Sequence, residues 1–230
     1  MLEYQQETKH DNTPPSALQF VKKASQMRGL VFGNKIDSLL SGGLAPNTLT
    51  FLYGKNADLL MNILCGNSIR IFGERAIFID AANSFDPYLI VEKCVPIKSE
   101  VSARKFCERI TIFRAFTCYQ LRKLVSDKLV KEISKAGEPV RSVFVTGIDS
   151  MFNEEDNTAE ETEVLQLLIA QDLVRIASGK QKGGMFVVAS SKERVKPLFS
   201  KCDTAIELHS GQKAMLAKHY SKQFAESEIF

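Results

Sequence analysis

What this chain lacks narrows its chemistry before any motif is weighed. No stretch approaches the roughly 18 uninterrupted apolar residues of a membrane span, and the opening MLEYQQETKHDNTPPS has no apolar run of the kind a secretory signal needs. Both absences point to a cytoplasmic protein that does not engage a membrane. The five cysteines, Cys65, Cys94, Cys107, Cys118 and Cys202, are odd in number and form no CxxC pair. That pattern speaks against a disulfide framework or a zinc site and for reduced thiols, so no metal is expected. An excess of charge of one sign is missing too: 30 Lys and Arg against 27 Asp and Glu leave a formal net charge of +3. Such a balance does not announce a nucleic-acid binder, and any phosphate binding must come from local clusters of cations.

What is present suits one domain. At 230 residues, 44% of them hydrophobic, the chain can bury one sizeable core and has little room for a second. Residues 1–16 are polar, end in Pro14-Pro15 and show no apolar period, which reads as a disordered tail before a single core of residues 17–230. Beyond the tail there is neither an internal repeat nor a low-complexity block. Short β-branched or aromatic runs, TLTFLY (48–53), AIFID (76–80), ITIFRA (110–115), SVFVTG (142–147) and MFVVAS (185–190), alternate with helical stretches. Several runs are apolar on both faces, as central strands of a covered parallel sheet must be, so the fold class is α/β. Helix starts are legible at Asp86-Pro87, at Thr117 to Gln120 and at Thr158 to Glu161, the last two with capping-box spacing. Near the end, DTAIELHSGQKAMLAKHY reads as two alternating runs joined by HSGQK, an antiparallel hairpin at the sheet edge.

The stretch GNKIDSLLSGGLAPNTLTFLYG, residues 33–54, resembles the entry to the RecA/RadA-type recombinase core, with Gly33, Ile36, Asp37, Leu39, Leu40, Gly42, Gly43, Thr50, Tyr53 and Gly54 fitting that pattern. AIFIDAANSFDPYLI, ITIFRAFTCYQL and the closing KAMLAKHYSKQFAESEIF resemble later segments of the same core, in order. The likeness covers roughly residues 29–230 and implies a RecA-like three-layer fold, of the kind found in archaeal RadA paralogues (RadB-like).

The same likeness marks what is missing. A phosphate loop, GxxxxGK[ST], uses glycines to wrap backbone N–H groups around phosphates, a lysine to neutralise them and a hydroxyl to hold magnesium. Counting from Gly54 in FLYGKNADLLMN puts Leu59 at the second glycine, Leu60 at the lysine and Met61 at the hydroxyl. A leucine at the lysine position is expected to pack under the sheet rather than to face a nucleotide. Lys55 follows Gly54 and is read either as an exposed turn lysine or as a phosphate contact from the other side. The resemblance implies an acidic magnesium-side residue at Thr146, with Asp149 three residues on, and a water-activating glutamate at Ala82. With lysine, metal ligand and base all replaced, the expectation is a degenerate nucleotide site, no catalytic residue, no cofactor and no ATP hydrolysis.

Two loops remain as candidate binding surfaces. MFNEEDNTAEETE after the 142–147 run carries Glu154, Glu155 and Asp156, either a solvated acidic helix start or a docking surface for a basic partner. SKERVKPLFSK after the 185–190 run groups Lys192, Arg194, Lys196 and Lys201 around Phe199, a pattern that suits single-stranded DNA unless Phe199 is a core residue. Phe20 in QFVKKA resembles the aromatic plug by which RadA-type proteins assemble, with Ala24 off its spacing. The resemblance therefore implies a non-catalytic accessory protein in homologous recombination and DNA repair, nucleoid-associated where it binds DNA. Its partners would be single-stranded DNA, a RadA-type recombinase or another paralogue, with room for an oligomer. Two alternatives stay open: a docking scaffold without DNA affinity, and an ATPase with an unorthodox phosphate loop.

Overall fold

The computed structural model describes residues 30, 43–95, 99–135, 137, 139–152, 158–179, 184–190, 195–210 and 215–221, for 210 and 215–221 the backbone alone. The expected N-terminal tail, Phe20 and residues 33–42 of the 33–54 stretch lie outside these residues.

The apolar runs form strands, four of them buried along nearly their whole length and the run at 110–114 only partly buried. They are β1 (Leu49–Gly54), β2 (Arg75–Asp80), β3 (Ile110–Arg114), β4 (Val140–Thr146), β5 (Met185–Ser190), β6 (Thr204–Ser210) and β7 (Met215–Ser221). Among the described residues they make one sheet in the order β3-β2-β4-β5-β1-β6-β7. Pairing from β3 through to β6 is parallel throughout, and the backbone of β7 runs antiparallel to β6. Residues 211–214, between β6 and β7, are outside the described set.

Side-chain alternation splits the core in two. Leu49, Phe51, Tyr53, Ile77, Ile79, Val143, Val145 and Val188 face one layer, and Leu52, Phe78, Phe144, Val187 and Ile206 face the other. The second layer is covered by α1 (Ala57–Phe72) and α2 (Pro87–Cys94), with α3 (Glu100–Cys107) following. The first is covered by a run of α4 (Cys118–Lys123), a π-helical turn (Leu124–Leu129) and α5 (Val130–Ile133), by α6 (Ala159–Ala177) and by α7 (Lys196–Lys201). This is a three-layer α/β arrangement. Among the described residues no helix is long and apolar enough to cross a membrane.

The caps follow local chemistry. Asp86 accepts the Leu89 N–H at 3.0 Å with Pro87 next in line. Thr158 and Glu161 complete a reciprocal capping box. At Thr117 the reciprocal half differs from the expected box: Thr117 accepts the Gln120 N–H, but the Gln120 side chain accepts from Phe116 N–H at 2.8 Å, one residue earlier. The π turn was not legible from periodicity. Leu121, Val125, Leu129 and Ile133 are all buried at steps of four. In a pure α-helix each such step drifts by about 40° around the axis, and one wider π turn takes that drift back.

At the C-terminal end of that run, the buried Glu132 carboxylate accepts from Lys135 Nζ at 2.6 Å and Arg75 at 2.7 Å. These two hydrogen bonds, Lys135 first, hold its carboxyl below the usual carboxylate range. A depressed carboxyl contributes stability above its unfolded value of about 4.3 and loses it as pH falls below that value towards the folded one. Glu132→Gln should therefore narrow its stability gap to the wild type as pH is lowered through that window, measured as urea midpoints at successive pH values.

Candidate functional site

The carboxyl ends of the parallel strands are where an α/β sheet places its ligand crevice. Among the described residues, the part of that rim at the ends of β1, β2 and β4 is tied together by the chain's own hydrogen bonds. β1 ends at Gly54, and α1 begins at Ala57, leaving Lys55 and Asn56 as a two-residue turn with Asn56 left-handed at φ 66°. A phosphate loop needs a longer arc of free N–H groups between strand and helix. Leu59, Leu60 and Met61, expected at the second glycine, lysine and hydroxyl positions, are instead within the first turns of the helix. Leu60 and Met61 are buried in the second core layer, as a leucine at the lysine position was expected to be, while Leu59 is 48% exposed. Lys55 is exposed in the turn. Gly54 has a packing reason of its own: at φ 104°, a Cβ would stand 2.4 Å from the Leu208 carbonyl oxygen on β6.

The next strand end carries the group that organises the rim. Asp80, fully buried in its side chain, pairs in register with Thr146 on β4 and Arg114 on β3. Its carboxylate accepts the Ser84 N–H at 2.9 Å, the Phe85 N–H at 3.2 Å and the Thr146 hydroxyl at 3.2 Å, while Arg114 Nε stands 3.9 Å away. Thr146 in turn accepts from the Ser84 hydroxyl at 3.2 Å. The hydroxyl at the magnesium-side position is thus occupied as both donor and acceptor. Asn62, one residue beyond Met61, donates to the Ser84 carbonyl at 2.9 Å and accepts the Asp86 N–H at 2.8 Å, tying the 81–86 turn to α1. Ala82, at the expected base position, is pressed against the residue after β4. A Cβ on Gly147, at φ 72°, would lie 2.4 Å from the Ala82 nitrogen. Asp149 sits half-buried in the following turn, which the Ser150 N–H closes onto the Gly147 carbonyl at 3.2 Å.

No protein-family model and no curated protein matches this chain. The assignment of chemistry therefore rests on geometry. Among the described residues no group of three or more His, Cys, Asp or Glu is placed to hold a metal ion. All five cysteines are free thiols, and burial pushes the Cys65 thiol far up, with the nearby Cys94 and Cys107 adding to it.

The binding-loop expectations fare unevenly. Glu154, Glu155, Asp156, Lys192 and Arg194 lie outside the described residues. Lys196 and Lys201 are exposed at the two ends of α7. Phe199 between them is half-buried, its ring edge-on to Tyr53 at 6.2 Å, and it packs on the first core layer. Of its two readings the structure takes the core one, because its ring completes the packing of β1. The residues that sequence reasoning missed are Asp80, Ser84 and Asn62. A carboxylate ending an otherwise apolar strand, in FIDAANSF, was the available signal, since a buried acid needs nearby donors.

Two substitutions separate the polar knot from the steric one. Asp80→Ala leaves the Ser84 and Phe85 N–H groups unpaired and should cost about 3 kcal/mol in urea unfolding. Gly147→Ala should cost more than Gly73→Ala, although both glycines are left-handed, because Gly73 has only an Arg109 guanidinium nitrogen at 3.8 Å. Equal losses would show that backbone conformation alone, worth about 1–3 kcal/mol, sets the cost.

Proposed function

We propose that this chain is a RecA-fold accessory protein of the RadA-paralogue kind, without ATP hydrolysis, that serves homologous recombination or DNA repair by binding single-stranded DNA, a RadA-type recombinase or both. One observation carries the reading. The strand-end rim, where the family would hold nucleotide and magnesium, is filled by a two-residue turn after Gly54 and by the Asp80, Ser84, Thr146 and Asn62 network. Asp80, Ser84, Thr146 and Asn62 are already bonded to one another or to backbone groups, so a triphosphate would have to break those bonds, with a leucine where a phosphate loop has its lysine. The strand order and the two-sided helical cover support the RecA-like reading of the fold. A site relieved of turnover leaves a rigid sheet from which edges and loops can dock partners.

A second reading, a recombinase-docking scaffold without DNA affinity, is favoured by α6. Glu160, Glu163, Val164 and Leu167 recur there at helical spacing on an exposed face, with Val164 50% and Leu167 36% exposed. That face pairs acid with apolar surface and suits a basic amphipathic partner.

The test has two arms on the full chain. Titration calorimetry with ATP and magnesium should be flat, and a magnesium-dependent heat would favour the unorthodox ATPase instead. Anisotropy of a labelled single-stranded oligonucleotide without nucleotide should report binding that weakens steeply as salt rises. Absence of binding even at low salt, with capture by a RadA-type recombinase, would leave the scaffold.

A further inference from the structure

We infer that the groove beside the β3 edge is the single-stranded nucleic-acid site of this protein, an assignment that rests on the accessory reading above. The groove encloses about 410 Å³ and is lined by Arg114, Phe116, Lys123, Asp127, Lys128 and Lys131 among others. Four cations face one carboxylate. Phe116 projects from the end of the strand 72% exposed, with Tyr119 nearby in sequence at 59%. Among the described residues β3 pairs only with β2, so its outer edge carries no strand.

Three features make this a built surface. First, the backbone that presents Phe116 is fixed, because its N–H donates to Gln120 Oε1 at 2.8 Å. Second, Lys128 Nζ lies over the Phe113 ring at 5.8 Å from its centroid, which stands the ammonium on the strand side of the groove. Third, the π turn falls within the groove wall, at Leu124–Leu129. The winding that keeps Leu121, Val125, Leu129 and Ile133 on the core also aligns Lys123, Asp127 and Lys131, each two residues from that buried row, in a straight exposed line. Four residues advance about 6 Å along a helix, so the row tracks an extended backbone. π turns occur frequently at functional sites.

Charge and shape choose the occupant. Lys123 and Lys131, with Arg114 and Lys128 beside them, outnumber the Asp127 carboxylate that stands between the two lysines and can follow a phosphate chain without reading sequence, while the exposed Phe116 ring offers a stacking face to one base. An acidic peptide would satisfy the cations equally well but would leave the ring without a flat partner. Among the described residues the α7 region lacks this combination, since Phe199, between the exposed Lys196 and Lys201, is packed against Tyr53.

The experiment is fluorescence anisotropy of a labelled oligothymidylate of about 20 nucleotides, long enough for more than one typical site, against the full chain over a salt series. Three variants are compared with the wild type: Phe116→Ala, Lys123→Gln with Lys131→Gln, and Lys196→Gln with Lys201→Gln. All alter exposed side chains, and thermal midpoints within a few degrees of wild type establish that each is folded. Loss of the Phe116 ring should weaken binding about tenfold, the effect of one stacked base. Removing the two groove lysines should lower the magnitude of the salt slope by about 1.4, two phosphate contacts on a single strand. The α7 pair should change neither. Wild-type binding that both groove variants retain, and the α7 pair loses, would overturn the groove assignment and leave the accessory reading standing. No wild-type binding at low salt would overturn both. Binding of a labelled polyglutamate to the groove in place of the oligonucleotide would assign it to an acidic protein partner and overturn the nucleic-acid inference.

Discussion

The buried carboxylate of Asp80 sets the architecture at the carboxyl ends of β2, β3 and β4. A charge with no exposed surface persists in a sheet only where donors converge on it. The donors here come from three separate elements: the backbone of the 81–86 turn, the hydroxyl of Thr146 at the end of β4 and, at longer range, Arg114 at the end of β3. Once those groups are drawn in, the turn after β2 must lie flat across the strand ends, and Gly147 must remain without a side chain to let Ala82 pass. Among the described residues, the strand ends of β2 and β4 are thereby joined by internal hydrogen bonds.

The turn after β1 works to the same end from the opposite side. Because α1 starts at Ala57, Leu60 and Met61 are carried into the core instead of towards a ligand, and Asn62 is brought within reach of the Ser84 carbonyl and the Asp86 N–H. The two-residue turn and the burial of Leu60 and Met61 are therefore one structural feature. A lysine at position 60 would be buried in an apolar layer without a counter-charge, and a longer loop at 55–56 would withdraw Asn62 from the turn it staples. At the sheet edge, β3, the exposed Phe116 and the helical run that carries Lys123, Asp127 and Lys131 meet at a groove.

Much of the fold was legible in the sequence. Five apolar runs became β1 to β5 within one or two residues: burial on both faces leaves a continuous apolar signature in β1, β2, β4 and β5, and the partly exposed β3 was marked by its β-branched and aromatic residues. Asp86 and Thr158 capped their helices as local chemistry dictates, since a side chain and an N–H three residues on need no tertiary help to meet. The site was legible only in its absences. Ala82, Thr146, Leu60 and Met61 could be marked as unable to perform their expected roles, but what they do instead depends on residues 60 positions away.

The sequence by itself determined the α/β class and the positions of β1 to β5, because these follow from side-chain polarity read along the chain. Tertiary structure decided the rest. It joined Asp80, Thr146 and Ser84 into one knot, turned Phe199 inward against Tyr53 and inserted a π turn to hold two rows of side chains in line. Each of these depends on the distance between strands and the angle around a helix, quantities that exist only after the sheet has formed and that a linear pattern does not contain.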